Sequence, residues 1–149
     1  MLFGLTIAGL AALLGVLFVS VKVSYFFGLP VVETLSLVAS GVVLLALGFV
    51  LRYLALRRLI ISNRNMQWSH VPGTLVVDGV FRYSRNPSYL GILLTGLGAL
   101  LIEVNLLMLV FLLAMFAVFN LEVSREEARL AEQFGESYLS YKNTTRRWL

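Results

Sequence analysis

Residues 3 to 21, FGLTIAGLAALLGVLFVSV, carry no charge, and only Thr6 and Ser20 are polar. The run from 34 to 51 is interrupted only by Thr34, Ser36 and Ser40. A helix crosses about 30 Å of hydrocarbon in roughly 20 apolar residues, so each run predicts a membrane-crossing helix. A chain of 149 residues that is 59% hydrophobic and 13% charged, with a mean hydropathy of +0.88, is too apolar for a soluble domain of that size.

Two further apolar runs, 88–102 and 106–121, are shorter, and Glu103, Val104 and Asn105 separate them. They predict a tight helical hairpin whose helices gain length by continuing into the interface; a re-entrant hairpin is the alternative. The expected fold is an all-α integral membrane protein. Four transmembrane helices fall at about 2–21, 32–52, 87–102 and 105–122, with a loop over 62–86 and an amphipathic helical segment over 123–149. No repeat or low-complexity linker divides the chain, so 1–149 reads as one domain. No Lys or Arg precedes Lys22, so the first segment is expected to remain a membrane helix rather than act as a cleaved signal.

Of the 12 Lys and Arg, Lys22 alone precedes residue 52; the others lie in 52–85 and 125–147. Positive charge marks the cytoplasmic side, which predicts cytoplasmic termini and a cytoplasmic middle loop. The net charge of +4 is then a topology signal, and no nucleic-acid partner is called for. The chain has no cysteine and a single histidine, His70, which leaves no set of zinc ligands and no thiolate nucleophile. His70 is expected to be a solvated or capping residue of the WSHVPG loop.

The stretch FRYSRNPSYLG, 81–91, opens the third apolar run. Pro87 suits the first helical position and Asn86 the N-cap, so the helix starts here with its free N–H groups and positive dipole end beside Arg82 and Arg85. A carboxylate or phosphate would be welcome there, although a capped helix with interfacial arginines explains the same residues. Gly91, Thr95 and Gly98 then form a face almost without side chains, suited to another helix or to a ligand on bare backbone.

The fourth run passes into NLEVSREEARLAEQFGESYLSYKNTTRRWL with no breaker before Gly135, so one long helix should carry Glu126 and Glu127 back to the level of Asn86 and Pro87. Glu122, Arg125, Glu126 and Arg129 have the spacing of ion pairs along a helix, whereas Glu127 has no such neighbour. Adjacent acids point about 100° apart, which lets one face a ligand while the other braces an arginine. Leu130, Ala131, Phe134, Tyr138 and Tyr141 line one stripe, as in a helix covering the mouth of the bundle.

The quoted motifs, DGVFRYSRNPSYLG, then an apolar hairpin, then REEARLAEQFGESYLSYK and RRWL, resemble the isoprenylcysteine carboxyl methyltransferase family in its small prokaryotic branch. The likeness covers residues 75–149. It implies a membrane methyltransferase that uses S-adenosylmethionine from the cytoplasm and a lipophilic acceptor from the bilayer. By that resemblance Arg85, Asn86, Pro87, Tyr89, Gly91, Glu126 and Glu127 bind the cofactor, with Arg85, Tyr89 and Glu127 as the catalytic set and no metal. Arg85 and the helix start would take the cofactor's carboxylate, and Glu126 or Glu127 its ammonium. In one position the chain departs from the family: Asn86 stands where the carboxyl methyltransferases usually have histidine, and the similar phosphatidylethanolamine N-methyltransferases have asparagine. O-methylation of an isoprenylcysteine-like acceptor, N-methylation of a phospholipid or amine, and a non-catalytic scaffold that retains the bundle therefore stay open. A channel or transporter is disfavoured, since no ionisable residue falls at mid-span.

Overall fold

The computed structural model describes residues 34–62 and 73–149, with scattered helical positions between 11 and 26. Its elements are α1 (Leu35–Ser62), a 3-10 turn (Gly79–Arg82), α2 (Pro87–Ile102), α3 (Leu106–Phe134) and α4 (Glu136–Thr144), and no strand occurs among the described residues. By length and composition α1 and α3, of 28 and 29 residues, can each cross a membrane; their hydropathies reach 2.2 and 2.5. Val42, Val43, Leu47 and Val50 of α1 and Val110, Leu113 and Val118 of α3 are exposed, as lipid-facing side chains must be. In α3 only 106–121 is apolar, and everything from Glu122 onward stands beyond that stretch.

The helix expected at 87–102 coincides with α2, and the one expected at 105–122 starts at Leu106 and continues to Phe134. The second expected span, about 32–52, falls within α1, whose helix starts at Leu35 and runs on to Ser62. Charge ends the lipid-compatible stretch but not the helix, since Arg and Leu are both good helix formers. Most of the expected first span and residues 63–72, including His70, lie outside the described residues.

The middle position belongs to α2, which meets its two neighbours by different means. Against α1 it presents glycine: a Cβ built on Gly98 would lie 2.6 Å from the Gly41 carbonyl oxygen, and one on Gly91 would lie 2.7 Å from that of Gly48. The pairs are seven residues apart on each helix, so two backbones touch over two turns, as small residues allow in membranes. Thr95 lies between them, and its hydroxyl donates to the Gly91 carbonyl at 2.9 Å, so this polar side chain is satisfied within the seam. Against α3 it packs side chains: Tyr89, Ile92 and Ala99 meet Met108, Met115, Phe119 and Val123 in the core. The hairpin turn is closed by Asn105, whose side chain accepts the Met108 N–H at 2.7 Å and so caps α3.

At the other end of α2, Arg58 of α1 pairs with Asp78, and the hydroxyls of Ser62 and Thr74 lie 2.8 Å apart. Residues 73–78 are thereby fastened to the end of α1. A Val at Gly91 would press its Cβ into the Gly48 carbonyl and within 3.0 Å of the Arg52 backbone nitrogen. Gly91→Val is expected to cost about 1 to 3 kcal/mol and lower the melting temperature in detergent; an unchanged melting temperature would show that the seam can open freely.

Candidate active site

Where α2 starts, a single carboxylate gathers three cations. Glu127 of α3 accepts from Arg85 Nη2 at 2.8 Å and from Arg147 Nε and Nη2 at 3.1 and 2.8 Å, and Lys142 Nζ lies 3.8 Å away. The side chains of Arg85 and Glu127 are 9% and 6% exposed. The remaining donors of Arg85 Nη1 go to the carbonyls of Lys142 and Thr145, at 2.8 and 2.7 Å.

Residues 145–149 run across this cluster and are stitched to the approach to α2. The Arg85 N–H donates to the Arg146 carbonyl at 2.9 Å, and Ser84 Oγ and Asn86 Nδ2 both donate to the Arg147 carbonyl. Trp148 Nε1 donates to Asn120 Oδ1, and its ring lies 5.8 Å from that of Phe116. The chain can return because of Gly135, which joins α3 to α4 at φ +51 and ψ −128, a conformation open to glycine and strained for other residues. Tyr141 of α4 then donates to the Phe81 carbonyl at 2.7 Å, tying α4 to the 3-10 turn.

The two neighbouring acids are in opposite electrostatic states. Burial alone would raise the Glu127 carboxyl, but the guanidiniums of Arg147 and Arg85 overcome it and hold the group below the ordinary carboxylate value. In return, Arg147 is held above the ordinary arginine value. Glu126 forms no ion pair among the described residues. Burial pushes it from 4.5 up to about 7, with Glu122 adding to the shift and Arg129 opposing it.

Both acids border a cleft with an enclosed volume of about 80 Å³ that widens into an open mouth. Its walls come from every described helix: Leu59 of α1, residues 74–76, Pro87 to Tyr89 of α2, Leu130 of α3, and Tyr138 with Tyr141 of α4. Tyr89 is held by Phe119, the ring centroids being 4.9 Å apart. Asn86 occupies the N-cap position without capping, because its side chain is turned to the Arg147 carbonyl. The first-turn N–H groups of Ser88 and Tyr89 therefore have no cap, and Ser88 Oγ has no hydrogen-bond partner.

Arg85, Asn86, Pro87, Tyr89, Glu126 and Glu127 are thus brought together around one cleft. Gly91 is the exception: its missing side chain serves the seam with α1, which settles the open choice at that glycine face in favour of a helix. Glu127 has no partner along its own helix, as its spacing predicts, but takes three cations from elsewhere in the chain, while Glu126 forms no ion pair among the described residues. Along the helix itself only Glu122 and Arg125 pair, at 2.7 Å. Helical spacing could not find Lys142 or Arg147, because they reach Glu127 through the reversal at Gly135; their only trace in the sequence is their place in the motifs REEARLAEQFGESYLSYK and RRWL.

A family model described as phospholipid methyltransferase matches residues 36–137 of the chain. Among curated proteins, the chain is similar to the protein-S-isoprenylcysteine O-methyltransferase of Schizosaccharomyces pombe, 32% identical over 105 residues, which is 65% of this chain and 44% of that protein. The Saccharomyces cerevisiae protein of the same name is 40% identical over 70 residues, 46% of this chain and 29% of that protein. That of Dictyostelium discoideum is 27% identical over 128 residues, 80% and 51% of the two chains. The chain spans about half the length, or less, of these relatives.

Two outcomes follow from the charges. Glu127→Gln leaves two guanidiniums without their anion in a nearly closed site, so it is expected to cost about 3 to 5 kcal/mol and to free residues 145–149; trypsin should then cut at Arg146 and Arg147 faster than in the parent protein. Because the folded state raises the Glu126 value, its proton stabilises the protein fully below about 4.5 and progressively less as pH rises to about 7. By linkage this amounts to as much as about 3 kcal/mol. The melting temperature is expected to fall between pH 5 and 8, and Glu126→Gln should flatten that slope.

Proposed function

The chain belongs to the phospholipid methyltransferase family, and on that premise we propose that it is a membrane enzyme that methylates the carboxylate of an isoprenylcysteine-like acceptor with S-adenosylmethionine. The acceptor class is supported by its relatives, which are protein-S-isoprenylcysteine O-methyltransferases. In this reading the chain crosses the bilayer four times and the cleft opens to the cytoplasm, a reading supported by the arginines around it.

The observation that carries the proposal is an acid and an anion-seeking helix start facing one cleft. Glu126 forms no ion pair among the described residues, and the first turn of α2 offers uncapped N–H groups beside Arg85. A ligand with an ammonium and a carboxylate, as an amino acid portion has, answers both. Bound there, S-adenosylmethionine supplies a methyl group on a positively charged sulfur, already activated for displacement. Glu126 holds the ammonium, and the start of α2 with Arg85 holds the carboxylate. Glu127 and Arg147 act as positioning residues that keep Arg85 in place. Leu130, Tyr138 and Tyr141 exclude water, so that alignment of the acceptor does most of the work. An ionised carboxylate needs no base.

One observation favours a second reading, N-methylation of a phospholipid amine. Glu126 titrates near neutral pH and could accept the proton that an ammonium acceptor must lose. Tritiated methyl transfer to N-acetyl-S-farnesylcysteine and to phosphatidylethanolamine separates the two, because a methyl ester is released by mild alkali and an N-methyl group is not. Calorimetry with S-adenosylhomocysteine tests the cofactor site itself. An ammonium beside Glu126 lowers its proton affinity, so binding at pH 7 should release protons and give heats that depend on the buffer. Glu126→Gln should abolish that dependence and weaken binding by about 1.5 to 3 kcal/mol. No heat from the intact protein would leave a scaffold instead of an enzyme.

A further inference from the structure

Arg52 is the one arginine of α1 that is buried, at 7% exposure, whereas Arg57 is exposed and Arg58 pairs with Asp78. Its Nη1 has no hydrogen-bond partner, and no described acid forms an ion pair with it. The usual escape for an arginine near lipid is to extend its head to water, which a buried Nη1 does not do. An uncompensated guanidinium in such surroundings is costly, and in a membrane protein it marks a place where an anion binds.

The helix register says where that anion would sit. Gly48 opposes Gly91, and a Cβ on Gly91 would lie 3.0 Å from the Arg52 Cβ, so Arg52 faces α2 level with its first turn. Ser88, three residues before Gly91 and on the same side of α2, is 4% exposed, and its Oγ also lacks a partner. Leu59, seven residues after Arg52 and so on the same face of α1, lines the cleft, as do Ser88 and Tyr89. Arg52 therefore stands two turns further into the apolar part of α1, behind the wall shared with the proposed cofactor.

We infer that Arg52 and Ser88 form the seat of an oxyanion, a carboxylate or a phosphodiester, carried at the polar end of a lipid-embedded acceptor. The inference rests on the methyltransferase reading only in calling that lipid the acceptor. The seat is separate from Arg85, whose Nη1 and Nη2 are engaged by two carbonyls and Glu127 and whose buried Nε is its one donor without a partner. It explains why a charge is kept where a glutamine or methionine would pack without penalty.

The test compares the parent protein with Arg52→Gln and Arg52→Lys in detergent, by thermal shift with four probes: S-farnesylthiopropionic acid, its methyl ester, phosphatidylethanolamine and diacylglycerol. The acid or the phospholipid should raise the melting temperature of the parent protein while its neutral counterpart does not, and which of the two does so identifies the oxyanion. Arg52→Gln should raise the half-protecting concentration about tenfold or more, with Arg52→Lys in between. Without any probe, Arg52→Gln should melt no lower than the parent, since it removes an unpaired buried charge. A lower melting temperature would make the arginine structural and overturn the proposal, as would protection unchanged in Arg52→Gln or no difference between charged and neutral probes. S-adenosylhomocysteine heats are read in parallel: their absence, with the oxyanion effect intact, counts against the cofactor reading and not against this seat.

Discussion

A carboxylate that is 6% exposed, with guanidiniums from two distant parts of the chain upon it, cannot be assembled piecemeal. Desolvating Glu127 is tolerable only once Arg85 and Arg147 are both in place, and each arginine in turn pairs with no other anion among the described residues. The start of α2, the middle of α3 and the final residues must therefore arrive together. That requirement turns a set of apolar helices, which packing alone would leave free to slide, into a bundle with one defined polar end.

The division of labour between the two neighbouring acids follows from the same contact. Glu127 is consumed by structure and held ionised, which leaves Glu126, about 100° around the helix, bordering the cleft with a proton affinity raised by burial. A site built this way keeps its fixed charges internally balanced and exposes one adjustable group. The binding of a cation beside Glu126 can then be felt without disturbing the arginines behind it.

Much of this was legible in the sequence where local chemistry decides. Pro87 marked the first residue of α2, Gly135 marked the end of α3, and the small face of Gly91, Thr95 and Gly98 announced a close neighbour. The identity of that neighbour was not legible, because Gly41 and Gly48 are unremarkable within an apolar run until α2 is laid against them. Helical spacing placed Glu126 and Glu127 on different faces, but an angle between two side chains carries no absolute direction, so their roles could not be assigned. Asn86 illustrates the limit: by residue type it is a capping side chain, yet a carbonyl sixty-one residues away claims its amide.

The glycine seam also restricts traffic. Where Gly41 meets Gly98 and Gly48 meets Gly91, α1 and α2 touch backbone to backbone, and on the opposite side α2 is sealed to α3 by Ile92, Met108, Met115 and Phe119. Neither junction has room for a hydrocarbon chain to slip through. For the acceptor proposed above, a greasy tail would have to reach the cleft by a route that avoids both junctions.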